Sequence, residues 1–424
     1  MPVPLAGLRI LEFSHTVMGS TAGLLLADLG ADVVKVEPAP TGDHTRGLTG
    51  FAAGFFAYLN CNKRSLALDL KSTAAQAALH RLVPGFDIII ENYGPGTMER
   101  LGCGWEQLSA LSGWQGYLAL KGYLAGPYEH RPALDEVMQF HTGLAYMTGR
   151  PGDPLRADAS VIDIMGAVFG VVGVQAAQRE RTGRGQRVGS ALFESAAFLM
   201  GTHMAGIATT GQDMPPMPAR HGAWAIYQVF GTADAGRLFI GVTSDQQGRR
   251  FAPAIGLAGL LEDPRLAING GRVAEKAWLV PMIASAIAGR STEAASQACE
   301  EARVSWAPVG RPADLFADPH LLASGGLLDT MAPGFGDVAA SLVGLPVLPL
   351  EFGDRRDRPA RPTGIGVPAT RHGRAQPGGA RGRRFHRGRD RGAGHRQRLG
   401  QRRSHRTTPP RKDRQVVRHG EEAQ

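Results

Sequence analysis

The stretch that decides the fold is residues 8–37, LRILEFSHTVMGSTAGLLLADLGADVVKVE. Its first six residues are rich in branched apolar side chains and predict a strand. Residues 19–29 predict a helix that stops at Gly30, and residues 32–37 predict a second strand. A strand, a helix and a strand in such close succession predict a parallel βαβ unit.

The same alternation continues along the chain. We expect further strands and helices at 65–69, 73–83, 87–91 and 116–120, followed by long helices at about 163–181 and 190–208 around the turn at 182–185. Strands that alternate with helices favour a doubly wound parallel sheet that is covered on both faces. The predicted fold class is therefore α/β, with a large Rossmann-like domain over residues 1–215.

A second, smaller domain is expected after the Pro/Met/Gly-rich loop at 211–222. Residues 223–325 predict a compact α+β unit, with a hairpin of strands at 225–230 and 238–242. Helices are expected near 245–256, 272–288 and 291–302, and a strand at 304–309. Residues 326–354 are interpreted as a segment that returns to the large domain.

Charge is distributed very unevenly. Residues 355–424 hold 21 basic and five acidic side chains, a net charge of +16, whereas the first 354 residues hold 26 basic and 33 acidic ones, a net charge of −7. The overall +9 therefore describes an acidic body with a basic tail, and it is poor evidence for a nucleic-acid-binding protein. The tail has few large apolar residues, so we expect it to be disordered.

Three cysteines, Cys61, Cys103 and Cys299, are far apart and odd in number. They support neither a disulfide framework nor a metal site. The N-terminus lacks the pattern of a secretory signal, and the two most apolar stretches contain Asp163 and Glu194, which argues against a membrane span. We therefore expect a cytoplasmic protein that binds no membrane.

Three segments beside predicted strands could bind a ligand. In a parallel sheet, ligands bind beyond the carboxyl ends of the strands. The first is 14–19, SHTVMG, with Glu37 at the end of the next strand. This arrangement is compatible with a nicotinamide-dependent dehydrogenase, but the turn lacks the three glycines of G-x-G-x-x-G. The alternative is a βαβ unit that only builds the core.

The second segment, 60–71, NCNKRSLALDLK, has Lys63 and Arg64 just before a predicted strand and Lys71 just after it, and these basic groups are suited to phosphate. From spacing alone, a solvated basic turn is the favoured interpretation. The third, 91–102, ENYGPGTMERLG, ends a strand in amide and aromatic groups before Arg100. A plain strand-to-helix turn explains it equally well.

Asp163 stands among apolar residues near the start of a long predicted helix. Its carboxylate could cap the helix by accepting backbone N–H groups, or it could be a desolvated, oriented nucleophile. Spacing leaves both roles open.

Together these segments resemble the class III CoA-transferase family. The resemblance runs from about Leu5 to Phe352, and it includes His15, ADLGADVVKVE at 27–37, the segments at 60–71 and 91–102, Asp163 and ERTGRGQ at 180–186. It implies the class III CoA-transferase fold and CoA transfer between an acyl-CoA and a carboxylic acid through an aspartyl mixed anhydride and an enzyme–CoA thioester. Asp163 matches the catalytic aspartate of the family.

The resemblance also implies partners and binding residues. The family forms interlocked homodimers and uses CoA as a substrate, with no metal or other cofactor. Positions that match its CoA-contacting residues are His15, Val17, Met18, Leu68, Lys71, Asn92, Tyr93, Arg100 and Leu101.

Differences between this chain and particular members of the family indicate which reaction it is expected to catalyse. The related α-methylacyl-CoA racemases, the alternative within the family, have a histidine where this chain has Leu134. Residues 120–136 and 146–157 are similar to members that act on short dicarboxylates, such as mesaconyl-CoA transferase. A second substrate carboxylate requires a cation, and Arg156, Arg220 and His221 are the candidates.

Overall fold

The computed structural model describes residues 4–350 except 114–115, 181–184, 218–221, 333–340 and 347–348. The basic tail at 355–424, the turn residues 182–184, Arg220 and His221 lie outside the described residues. The expected disorder of the tail and the domain boundaries stay predictions.

Six parallel strands form one sheet in the order β3-β2-β1-β4-β5-β6. Their bounds are Arg9–Phe13 (β1), Asp32–Pro38 (β2), Lys63–Leu68 (β3), Ile88–Glu91 (β4), Gly116–Lys121 (β5) and Gln186–Ala191 (β6). Leu11 lies in register with Val34 on one side and Ile89 on the other. The chain therefore changes winding direction between β1 and β4, where doubly wound sheets bind ligands. The predicted α/β class with a parallel Rossmann-like sheet is confirmed.

Helices cover both faces of this sheet. Their bounds are Met18–Asp28 (α1), Phe55–Leu59 (α2), Thr73–Leu82 (α3), Thr97–Arg100 (α4), Trp105–Ser109 (α5), Asp135–His141 (α6), Leu144–Thr148 (α7), Val161–Glu180 (α8), Leu192–Leu199 (α9) and Gly201–Thr210 (α10). Alternate strand residues point to opposite faces, so Ile10 packs with α1 and α8, whereas Leu11 packs with α3 and α5. Each such large side chain contributes about 1.5–3 kcal/mol by burial.

Strand β6 corrects the sequence prediction, which placed the start of a long helix at residue 190. The segment QRVGSA is short and half polar, and it offers little strand signal by itself. It pairs along its whole length with β5, from Gly116 opposite Gln186 to Lys121 opposite Ala191. Pairing with a partner about 70 residues away in sequence decides its conformation, and α9 and α10 follow as two separate helices.

Helix α8 is long and apolar enough to cross a membrane by length and composition. Its Ile162, Ala167 and Val174 are nevertheless buried in the core that lies against β5 and α1. An apolar helix of this kind is also found in the interior of soluble α/β folds.

A second, antiparallel sheet has the order β7-β8-β9, from Tyr227–Gly231, Arg237–Gly241 and Ser305–Pro308. The α-helices described between residues 245 and 323 are Asp245–Ala254 (α11), Asn269–Ala274 (α12), Lys276–Ala288 (α13), Thr292–Ala302 (α14) and Pro319–Ala323 (α15). The predicted helix at 272–288 is interrupted at Glu275, which ends α12 and precedes α13. Residues Leu327–Ala332 (β10) and Ser341–Pro346 (β11) form an antiparallel hairpin that the sequence analysis missed.

A cluster of buried charges lies at the end of the central strand. Glu12 is 0% exposed, and its two carboxylate oxygens lie 3.3 Å from Lys35 Nζ and 2.8 Å from Lys63 Nζ. Lys35 also lies 3.0 Å from Asp43 and donates to the Ser14 carbonyl at 2.8 Å. The favoured interpretation of 60–71 as a solvated turn is therefore wrong for Lys63, which is 3% exposed and bound inside the protein.

We expect Glu12→Gln to destabilise the protein by about 3–5 kcal/mol, because it leaves two buried ammonium groups with one carboxylate fewer. Urea unfolding followed by circular dichroism measures the loss. Glu262→Gln, at an exposed glutamate, is the matched control and should change stability by less than about 0.5 kcal/mol. A loss below about 1 kcal/mol for Glu12→Gln would contradict the role given to this cluster.

Candidate active site

The loop after β1 is bound to the loop after β4 by a reciprocal pair of hydrogen bonds. His15 N donates to Asn92 Oδ1 at 3.0 Å, and Asn92 Nδ2 donates to the His15 carbonyl at 2.9 Å. The contact is close enough to require Gly19, where a Cβ atom would lie 2.7 Å from Asn92 Cγ. Two residues predicted from separate segments therefore meet at the switch point of the sheet.

The His15 imidazole packs between two other rings. Its centroid lies 5.3 Å from that of Tyr93 and 5.6 Å from that of His44, and its Nδ1 is 2.7 Å from Thr16 Oγ1. Burial, helped by the neighbouring His44, lowers the pKa of His15, whereas Asp43 opposes this effect. His15 is therefore neutral at neutral pH, and it presents an uncharged ring in the loop.

The remaining predicted CoA-contacting residues fall into an apolar set and a cationic set. Leu68, Tyr93 and Leu101 pack against the same apolar cluster beneath the carboxyl ends of the strands. Lys71 is exposed in the loop after β3, and Arg100 is exposed at the end of α4. Gln76 connects these two places, because its amide donates to the Leu70 carbonyl at 2.8 Å and lies against Gly102.

Val17 and Met18 are buried, so their side chains serve the core. The Met18 thioether reaches Gly166 of α8, where a Cβ atom would lie 2.4 Å from the Met18 methyl carbon. Gly166 stands three residues after Asp163, about one turn further along the same face of α8. The loop after β1 is thereby packed against the helix that carries Asp163.

Asp163 does not cap α8, contrary to the structural alternative from the sequence. The helix begins at Val161, so Asp163 is its third residue. The cap comes from another helix: Asp135 Oδ2 accepts the backbone N–H groups of Ile162 at 2.7 Å and Asp163 at 2.9 Å. The Asp163 carboxylate is left free for another role.

The protein raises the pKa of the Asp163 carboxyl to about 7. Burial is the largest cause, and the negative charges of Asp135 and Glu136 add to it. Among the described residues, no group donates a hydrogen bond to this carboxylate. Partly buried and without a donor to stabilise its charge, it is a more basic and more nucleophilic carboxylate than an ordinary aspartate.

Sequence reasoning missed Asp135 as a functional residue. Its carboxylate acts on residues 27 and 28 positions further along the chain, so no local pattern reveals the contact. An acid at the first position of a short helix has an ordinary explanation in the helix dipole.

The Glu37 carboxylate is already hydrogen-bonded to other side chains of the protein. Its carboxylate accepts from Arg46 Nε at 2.8 Å and Nη2 at 2.7 Å, and it also accepts from Ser65 Oγ at 2.6 Å. The arginine and these hydrogen bonds lower the pKa of Glu37 against the opposing effect of burial. A carboxylate bound in this way is not available for a nicotinamide ribose, which removes the main support for a dehydrogenase.

The chain is similar to known proteins over most of its length. The model of CoA-transferase family III matches residues 5–364. A succinate–glutarate CoA-transferase of Agrobacterium fabrum is 31% identical over 78% of this chain and 86% of its own. A succinyl-CoA:mesaconate CoA-transferase of Haloarcula hispanica is 33% identical over 80% of this chain and 88% of its own.

A solved structure supports the same relationship. A CAIB/BAIF family protein from Brucella suis superposes with a TM-score of 0.69 and 29% identity, covering 82% of this chain and 96% of that one. Both the sequence match and the fold extend over most of the described chain. The protein therefore belongs to CoA-transferase family III and is a CoA-transferase.

Proposed function

We propose that this CoA-transferase moves CoA from a dicarboxylic acyl-CoA to a short dicarboxylic acid, with Asp163 as the covalent nucleophile. The two relatives described above are named for succinate and glutarate and for succinyl-CoA and mesaconate, which are all dicarboxylic. The observation that carries the mechanism is the Asp163 carboxylate, partly buried and without a hydrogen-bond donor among the described residues.

The proposed reaction proceeds by exchange at two carbonyl carbons. An Asp163 oxygen attacks the thioester carbonyl, the C–S bond breaks, and an aspartyl–acyl anhydride and CoA thiolate form. The thiolate then attacks the aspartyl carbonyl, which gives an enzyme–CoA thioester and releases the donor acid. The acceptor carboxylate reverses both steps. A bound thiolate reacts at an effective concentration of ~10⁵ M or more in well-oriented cases.

The CoA-binding role of the predicted residues is part of the proposal. Lys71, in the loop after β3, and Arg100, at the end of α4, are exposed cations, which suits the phosphates of CoA. His15, Asn92 and Tyr93 contact one another above the sheet, where the pantetheine arm would pass. Val17 and Met18 are buried, so their contribution to binding would come from the backbone at the start of α1.

We also infer a cytoplasmic homodimer that uses CoA as a substrate and has no additional cofactor. Exposed apolar side chains on α8, α9 and α10 support self-association. They are Ile164, Val168, Val172, Phe198, Met204 and Ile207. A set of large apolar residues this extensive is typical of a surface that a partner chain covers.

For the nucleophile, we expect Asp163→Asn to reduce turnover by several orders of magnitude, because an amide does not attack a thioester. Intact-mass spectrometry after incubation with succinyl-CoA should show a CoA adduct on the wild type, mapped to Asp163, and none on the variant. Succinate and glutarate serve as acceptors in the turnover assay.

The matched control is Asp153→Asn, at an exposed aspartate ten residues earlier, which should retain turnover. Folding provides a second check. Because the folded-state pKa of Asp163 is raised, ionising it costs stability as the pH rises from about 4 to about 7. Asp163→Asn should therefore have a higher Tm than the wild type at pH 8, and a similar Tm at pH 4. Near-normal turnover in this folded variant would overturn the mechanism.

The pH dependence follows from the same carboxylate. Since the nucleophile must be ionised, kcat/KM should fall about tenfold per pH unit below about 7. Glu136→Gln removes one of the charges that raise the pKa of Asp163, so the acid limb should move to lower pH. Steady-state rates between pH 5 and 9 measure the acid limb of the wild type and of the variant. An acid limb that stays in place in Glu136→Gln would exclude Glu136 as a cause of the raised pKa.

Racemase chemistry is not expected. Exchange of an α-proton with inversion needs acid–base groups on both faces of the carbon. At the position where racemases of the family have a histidine, the structure places the exposed apolar side chain of Leu134. NMR of 2-methylacyl-CoA in D₂O should show no enzyme-dependent loss of the α-proton, and rapid exchange would show that the racemase alternative is correct.

A further inference from the structure

Arg156 lies next to the hydrogen-bonded cluster that holds the backbone of Asp163, which is seven residues further along the chain. Gln139 of α6 accepts from Ala157 N at 2.8 Å and donates to the Ala157 carbonyl at 3.2 Å. The same Gln139 amide donates to Asp135 Oδ1 at 2.5 Å, and Asp135 in turn accepts the Asp163 N–H. The backbone beside Arg156 and the start of α8 are therefore fixed to one helix.

The Arg156 guanidinium is held by one backbone hydrogen bond and two longer ion pairs. Its Nη1 donates to the Ala157 carbonyl at 3.2 Å and lies 3.9 Å from Glu136 Oε1, and its Nη2 lies 3.3 Å from Asp158 Oδ1. Asp158 is 92% exposed at its side chain, so water screens that pair. Arg46, by contrast, is held by two direct hydrogen bonds of 2.7 and 2.8 Å to Glu37. Arg156 is 34% exposed and has N–H groups that a ligand can use.

The surroundings of Asp163 are acidic. Asp135 and Glu136 both raise its pKa, so their charges are felt at the reacting carboxylate. A dicarboxylate would add two further negative charges there. Among the described residues, Arg156 is the cation that forms an ion pair with this acidic cluster. Entry of a dianion next to the carboxylates of Asp135 and Glu136 requires a compensating cation.

We propose that Arg156 binds the non-reacting carboxylate of the substrate and thereby selects dicarboxylic over monocarboxylic acids. The substrate carboxylate takes the place of Glu136, so the guanidinium exchanges one anionic partner for another. A planar guanidinium binds a carboxylate through two parallel N–H···O bonds, which also orients the far end of the acid. This inference rests on the proposed function. Of the three cations considered from the sequence, Arg220 and His221 lie outside the described residues.

The test compares succinate with butyrate, which has the same chain length and lacks the second carboxylate. With succinyl-CoA as donor, Arg156→Gln should raise the KM for succinate about 10- to 100-fold, as expected for a lost charge-assisted pair. The Ki of butyrate as a competitive inhibitor should change less than threefold. Arg156→Lys should recover part of the succinate affinity, because the charge returns without the two-pronged geometry.

Two further variants separate charge recognition from general structural damage. Arg150→Gln removes an exposed arginine of the same segment that has no ion pair among the described residues, and it should alter neither constant. Glu136→Gln should lower the KM for succinate two- to threefold by releasing the guanidinium. It should have no such effect in the Arg156→Gln background.

The outcomes distinguish the two levels of the proposal. Suppose the wild type transfers CoA to succinate, but Arg156→Gln weakens the binding of succinate and of butyrate by the same factor, or weakens the binding of neither. The assignment of Arg156 is then wrong and the proposed function stands. If the wild type transfers CoA to no dicarboxylate, the proposed function fails and the assignment fails with it.

Discussion

The arrangement of the site depends on one buried carboxylate, that of Glu12. Burying a carboxylate and two ammonium groups is costly unless each charge has a partner at short distance, so the cluster fixes its members tightly. Glu12 stands on the central strand, Lys35 on β2 and Lys63 on β3. Lys35 extends the cluster to Ser14 and Asp43, which belong to the loops that follow β1 and β2. The loop that carries His15 is therefore held to the sheet by charge as well as by packing, and this favours a preorganised site.

The availability and the pKa of the Asp163 carboxyl depend on a second feature, the capping of helix α8 by Asp135. Because Asp135 satisfies the first N–H groups of the helix, the Asp163 side chain is released from capping and remains available for chemistry. The same arrangement puts a negative charge beside Asp163 and raises its pKa. The helix dipole acts in the opposite direction, since it favours a negative charge in the first turn. The result is a carboxylate that is about half ionised at neutral pH and is more basic than an exposed aspartate.

The sequence predicted those parts of the structure that depend on local patterns. The βαβ unit at 8–37 and strands β1–β5 follow from apolar periodicity, and His15 and Asn92 follow from their positions at the carboxyl ends of strands. The parts that it missed depend on distant partners. Strand β6 exists because β5 pairs with it, Lys63 is buried because Glu12 faces it, and α8 is capped by a carboxylate from α6. No short window of sequence contains both members of these pairs, so local reasoning could not find them.

The charges around the site require the phosphates and the reacting group of an anionic substrate to bind at different places. CoA carries several phosphate charges, whereas the surroundings of Asp163 are themselves negative. Lys71 and Arg100 are exposed on the loops after β3 and at the end of α4, in elements separate from α6 and α8. In the proposed reaction the phosphates are bound at these cations, and the donor brings to the acidic cluster a neutral thioester and the one free carboxylate of its acyl group. The acceptor acid cannot avoid that cluster, because its carboxylate must reach the Asp163 carbonyl. In the proposed enzyme–CoA thioester Asp163 has lost its own charge, and this lowers the repulsion at the step when the acceptor enters. The remaining negative charge comes from Asp135 and Glu136, and a partly exposed guanidinium beside Glu136 is positioned to offset it.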